Sequence, residues 1–125
     1  SRKKLSKKIL NIIDDVTRKT KNNSSTAINL VFNYGSRDEI VSSIKKIKSG
    51  KINKFNITKN LYTHESKDPD LIIRTGGELR LSNFMLWQSA YSELYFTKKL
   101  WPDFNITDLK KIIKNFKKRK RNFGK

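Results

Sequence analysis

Asp70-Leu-Ile-Ile-Arg-Thr-Gly-Gly-Glu-Leu-Arg-Leu-Ser-Asn-Phe-Met-Leu-Trp-Gln-Ser-Ala-Tyr-Ser-Glu-Leu-Tyr-Phe96 is the stretch that decides the fold. Leu71, Ile72 and Ile73 form a short apolar run that reads as a buried strand. Gly76 and Gly77 follow, where a backbone can turn tightly or approach a ligand closely. Arg74, Arg80 and the hydroxyl of Ser82 surround them. A strand that ends in glycines, arginines and a hydroxyl ahead of an expected helix is suited to an anionic group, with diphosphate as the candidate. Glu93-Leu-Tyr-Phe-Thr97 reads as a second short strand.

Working outward, Leu5, Ile9, Ile12, Ile13 and Val16 recur at helical spacing and predict an amphipathic helix over about 4–20. Ala27 to Tyr34 is β-rich and apolar and predicts a buried strand. Ser36 and Glu39 have the spacing of a capping box that opens a helix with Ile40, Val41, Ile44 and Ile47 on its buried stripe. Asn56–Leu61 reads as a short helix. Ser82 or Asn83 is expected to cap a helix containing Phe84, Leu86, Trp87 and Ala90. Asn105 and Asp108 resemble another capping box, followed by Ile106, Leu109, Ile112, Ile113 and Phe116 on one face of a final helix. Alternating elements of this kind predict an α/β fold: a mostly parallel sheet flanked by helices. Ligands in such sheets bind beyond the carboxyl ends of the strands, where Arg74 to Ser82 would lie.

The chain has 125 residues, enough for one domain with a modest core, and residues 1–125 read as a single partial domain. With no cysteine there is no disulfide, thiolate nucleophile or thiolate metal site. That also sets aside a tyrosine phosphatase reading of Trp101-Pro-Asp103. No apolar run is long enough to span a bilayer, and no apolar signal region follows Ser1-Arg-Lys-Lys4. A cytoplasmic location fits these features.

The net charge is +18, from 29 basic and 11 acidic residues. A polyanion partner is one reading. Eight of the cations fall in 2–21 and nine in 110–125, so most lie far from the glycines, and solvated helix faces are the plainer account. A basic nucleic-acid-binding module built on Lys110–Lys125 is the alternative. No reader motif supports it, and it leaves Ile73 to Glu78 without a role. His64 reads as an exposed loop residue. Trp87, Tyr91 and Trp101 are expected in the core or a dimer interface, and Phe84, Met85 and Leu86 in the core, with a position facing substrate as the alternative.

Ile73 to Phe84, Leu86-Trp-Gln88, Tyr91 to Phe96, Trp101 to Phe104 and Asn33 to Ile40 together resemble the C-terminal half of the cis-prenyltransferases, the bacterial undecaprenyl diphosphate synthases in particular. The likeness runs from about Ile28 to Gly124. It implies condensation of isopentenyl diphosphate with an allylic diphosphate into a polyprenyl diphosphate, with Mg2+ as cofactor. It also implies a homodimer, and a lipid product that brings peripheral membrane contact. The resemblance assigns Arg74, Arg80 and Ser82 to the diphosphate of isopentenyl diphosphate, and Glu93 to the metal. Chemistry agrees, since arginine forks match phosphate oxygens and a hard carboxylate suits a hard cation.

Two departures stand out. Leu79 replaces the family's frequent histidine or glutamine, and Asn122-Phe-Gly124 replaces its closing Arg-X-Gly, with Arg121 adjacent as a substitute. No Asp-Gly-Asn-Gly segment occurs, so the family's catalytic aspartate and allylic loop have no counterpart, and no catalytic residue is assigned. The expectation is a half-enzyme inactive alone, or a non-catalytic subunit of a split prenyltransferase.

Overall fold

The computed structural model describes residues 5–122. These fall into two compact units that divide between Tyr34 and Gly35.

In the first unit, helix α1 spans Lys7–Thr20, with the Ser6 hydroxyl accepting from the Ile9 amide as its N-cap. Ile9, Ile12, Ile13 and Val16 line one groove with Ile28, Leu30 and Phe32. The strand expected at Ala27–Tyr34 is not formed: the segment is irregular, and Ile28 to Phe32 are exposed. Its sequence has the propensity, but a strand exists only against a partner. The sheet among the described residues consists of two strands elsewhere in the chain.

The second unit begins with α2 (Ser36–Lys46) and α3 (Lys54–Lys59), which is capped by Asn53. Strands β1 (Leu71–Arg74) and β2 (Glu93–Phe96) pair in parallel, Leu71 opposite Glu93 and Arg74 opposite Phe96. The ladder continues beyond both ends, Glu93 donating to the Asp70 carbonyl and Thr97 to that of Arg74, each at 2.9 Å. Trp101–Asp103 form a single 3-10 turn, and α4 spans Ile106–Phe116. The box expected at its start is formed, with Asn105 Oδ1 accepting from the Asp108 amide and Asp108 Oδ2 from the Asn105 amide. Ile57, Leu61, Ile72 and Ile112 are buried. The α4 lysines 110, 111 and 114 are exposed, as are Lys117 and Lys118 just beyond the helix.

Two local expectations are overturned in this unit. Ser36 and Glu39 do not form a capping box: Gly35 is the N-cap, without a side-chain bond. Both side chains are fully buried and turned to distant partners instead. Residues 82–91 are turns rather than a helix. Ser82, Asn83 and Met85 have φ of 48°, 64° and 46°, which no right-handed helix accommodates. Phe84 and Leu86 are exposed rather than core residues; Tyr91 and Trp101 are exposed too, the last stacked on Phe104, so of the core or dimer-interface expectation only the core half fails for them.

Candidate functional site

The parallel ladder brings the carboxyl ends of β1 and β2 together, and the chain leaving β1 turns at once. Gly76 and Gly77 have φ of 93° and 82°, a region that favours glycine. Their amides donate to the carbonyls of Lys99 and Thr97, at 2.8 and 2.9 Å. The glycines therefore lay the loop 75–81 along the chain that continues β2.

Arg74, the last residue of β1, reaches across this loop. Its Nη1 donates to Ser82 Oγ at 3.0 Å and to the Arg80 carbonyl. The three side chains assigned from the sequence to the diphosphate thus lie around one turn. Arg80 itself is exposed and paired with Glu78. Leu79 is 77 % exposed and contributes no polar group. The cluster offers a planar cationic fork, a second guanidinium and a neutral hydroxyl within one loop, a donor set suited to phosphoryl oxygens.

Glu93, the first residue of β2, sits at the opposite, amino end of the ladder from Arg74. Its Oε2 accepts from Arg119 Nη1 at 2.5 Å, and both side chains are partly exposed. Among the described residues no group of three histidine, cysteine or acidic side chains gathers for a metal. Glu93 with an arginine partner therefore does not make a magnesium centre by itself. Arg121 donates to Asp70 Oδ1 at 2.5 Å and to the Tyr91 carbonyl at 3.3 Å, and lies over the Phe116 ring. Of the closing Asn122-Phe-Gly124, the last two residues lie outside the described residues.

The loop carrying Ser82 is tied to α2 by bonds that sequence reasoning missed. The Ser36 amide donates to the Asn83 carbonyl at 2.8 Å and the Arg37 amide to Asn83 Oδ1 at 2.9 Å. Leu86 N–H donates to Ser36 Oγ at 2.9 Å. Deeper in, Glu39 Oε1 accepts from the Tyr62 amide at 2.7 Å and Oε2 from Gln88 Nε2 at 3.1 Å. Gln88 Nε2 also donates to Thr63 Oγ1 at 2.9 Å. The only sequence signal was a carboxylate at the edge of an apolar helix stripe. Which partners it meets, 23 and 49 residues away, is a tertiary fact.

The Lys99 ammonium, 2.8 Å from both oxygens of Asp108, and the Asn105 amide hold that carboxyl below its ordinary value.

Fold and cluster together define a parallel α/β protein with two arginines and a serine hydroxyl gathered at the end of a strand. Comparison with known proteins sharpens that class. The Prenyltransf family model, described as undecaprenyl diphosphate synthase, matches residues 1–124. An isoprenyl transferase of Fusobacterium nucleatum is 50 % identical over 90 % of the chain, covering 50 % of that protein. One of Rickettsia prowazekii is 48 % identical over 99 % of the chain and 54 % of its own length. The crystal structure of a probable undecaprenyl diphosphate synthase from Campylobacter jejuni superposes with a TM-score of 0.90. It is 40 % identical, with all of this chain and 60 % of that one covered. Lavandulyl diphosphate synthase from Lavandula x intermedia, in complex with dimethylallyl diphosphate, gives 0.94 at 33 % identity over 100 % and 58 %. The chain belongs to the undecaprenyl diphosphate synthase family of prenyltransferases. It spans about half the length of the curated relatives it matches.

Proposed function

We propose that residues 1–125 carry the isopentenyl diphosphate half-site of a cis-prenyltransferase that extends an allylic diphosphate into a polyprenyl diphosphate. The observation that carries this reading is the Arg74 fork bonded to Ser82 Oγ and the Arg80 carbonyl at the end of β1. In the free site these bonds hold the fork in place. A diphosphate would take over as acceptor for the guanidinium, with the Ser82 hydroxyl donating to it, and Arg80 would exchange Glu78 for a phosphoryl oxygen. Charge-assisted bonds of this type are the stronger ones, and the exchange places the substrate against a preformed loop.

Magnesium, on this reading, arrives with the diphosphate, because the cation prefers one or two carboxylates plus phosphates and water. Its role would be to neutralise leaving-group charge. Glu93 is the carboxylate proposed to take part, once released from Arg119. Turnover is proposed to need the aspartate-bearing segment that the family carries ahead of the matched region, and the working form to be a cytoplasmic homodimer.

The test is a condensation assay with farnesyl diphosphate, radiolabelled isopentenyl diphosphate and magnesium. It is run on residues 1–125 alone and together with the separately expressed N-terminal half of a relative. Label in polyprenyl product only on complementation is the expected result. Product from residues 1–125 alone would refute the need for the aspartate segment. If neither sample gives product and pyrophosphate does not bind, the diphosphate reading falls.

A further inference from the structure

The geometry points to Ser36 and Asn83 as positioning residues: the first turn of α2 is a clamp that holds the loop Leu81–Leu86 in its left-handed conformation, and so fixes Ser82 opposite Arg74. The functional meaning of the clamp rests on the diphosphate reading of that loop.

Three non-glycine residues within four positions, Ser82, Asn83 and Met85, have positive φ. Each such residue is sparsely populated in a free chain, so surrounding structure must hold it there. The loop has few means of its own: within it, Phe84 N–H donates to the Leu81 carbonyl at 3.0 Å. Arg74 Nη1 reaches Ser82 Oγ and Ser89 N–H donates to the Met85 carbonyl at 2.9 Å, and α2 holds the middle of the loop. The first amides of a helix have no partner inside the helix. Here those of Ser36 and Arg37 are spent on the carbonyl and side-chain oxygen of one residue, Asn83. Ser36 returns a bond by accepting from Leu86 N–H, so the loop is gripped on both sides of Phe84.

Ser36 is fully buried, which makes these bonds hard for water to replace. Gly35 completes the fit. A Cβ there would lie 2.8 Å from Asn83 Nδ2. Its φ of −146° suits any residue, so the glycine is needed for room and not for conformation. Asn83 cannot swing aside without losing the Arg37 amide. Ser82 is the residue before Asn83, and its Oγ meets Arg74 Nη1. Loosening the clamp therefore moves the hydroxyl that the arginine fork reads.

The experiment uses 15N-labelled residues 1–125 and the variants Ser36→Ala, Asn83→Ala, Gly35→Ala and the double variant Gly35→Ala/Asn83→Ala. Backbone order parameters of residues 81–86 and affinity for inorganic pyrophosphate are measured on the folded protein. In Asn83→Ala and Ser36→Ala the loop order parameters are expected to drop from about 0.85 to below about 0.6, while β1 and β2 keep theirs. Pyrophosphate affinity is expected to fall about tenfold, the effect of losing one hydrogen bond to a charged ligand. Gly35→Ala should act alone but add nothing in the Asn83→Ala background, because its clash is with that side chain.

Unchanged loop order in both Ser36→Ala and Asn83→Ala overturns the clamp. A loosened loop with unchanged pyrophosphate affinity overturns its role in positioning. Failure of the unsubstituted chain to bind pyrophosphate refutes the diphosphate reading instead. The order parameters still decide the clamp in that case.

Discussion

Glu39→Ala is expected to be the most damaging single substitution in the second unit. The carboxylate is fully buried and accepts from the Tyr62 amide at 2.7 Å and from Gln88 Nε2 at 3.1 Å. Hydrogen bonds to a charged group contribute about 1.5–3 kcal/mol each, and a buried donor stripped of its acceptor keeps its desolvation cost. Removing the carboxylate strands two donors and leaves a small void, while relieving the cost of holding a charge in the interior. The net loss is about 3–5 kcal/mol, a large share of the 5–15 kcal/mol by which a domain is typically stable.

Glu39→Gln is the informative control. Gln88 Oε1 is buried and has no hydrogen-bond partner. With glutamine at 39, the Gln88 amide can flip and present Oε1 to the new Nε2 and to the Thr63 hydroxyl. The Tyr62 amide keeps an acceptor throughout. The flip turns Gln88 Nε2 to the place now held by the unpartnered Oε1, so one buried donor group stays unsatisfied and the cost should be about 1–3 kcal/mol, less than for Glu39→Ala. Urea unfolding followed by tryptophan fluorescence and by circular dichroism measures both variants. A loss below about 1 kcal/mol for Glu39→Ala would refute the buried-network argument. A Glu39→Gln variant as unstable as Glu39→Ala would show that charge, not hydrogen-bond count, is what the pocket requires.

Arg119→Ala removes the guanidinium from Glu93, but both side chains reach solvent, so unfolding should weaken by less than about 1 kcal/mol. A loss of 2 kcal/mol or more in the same urea titration would contradict that. Asp108 supplies the pH-dependent part of the α4 cap. Its folded-state value is lowered from 3.8, chiefly by the Lys99 bond and then by the Asn105 amide. A depressed carboxyl stabilises above its unfolded value and loses that contribution as pH falls through the folded value. Amide protection at the start of α4 should therefore drop below about pH 4. It should be insensitive to acid in Asp108→Asn, and equal acid sensitivity in that variant would refute the assignment.

Local chemistry explains which elements were legible in the sequence. The stripe of α1, the Asn105–Asp108 box and the apolar runs at 71–73 and 93–96 all encode their structure over a few residues. The Arg74, Arg80 and Ser82 cluster was legible for the same reason, since all three lie within nine positions of one another and meet around one turn. Reading failed where a residue's best partner is distant. Ser36, Glu39 and Asn83 each have a sequence signature for capping a helix locally, yet each bonds across 23 to 50 residues instead. At Ser36 and Glu39 burial decides that competition, because a buried donor or acceptor loses far more by going unpaired than a solvated cap gains. The segment 27–34 failed for a related reason, since a strand is a property of two segments and no single run of residues specifies its partner. By itself, then, the sequence determined the family, the paired strands, the helices α1 to α4, and the gathering of Arg74, Arg80 and Ser82 near one turn. The tertiary structure alone decided the shape of the loop that carries Ser82, through long-range bonds to α2.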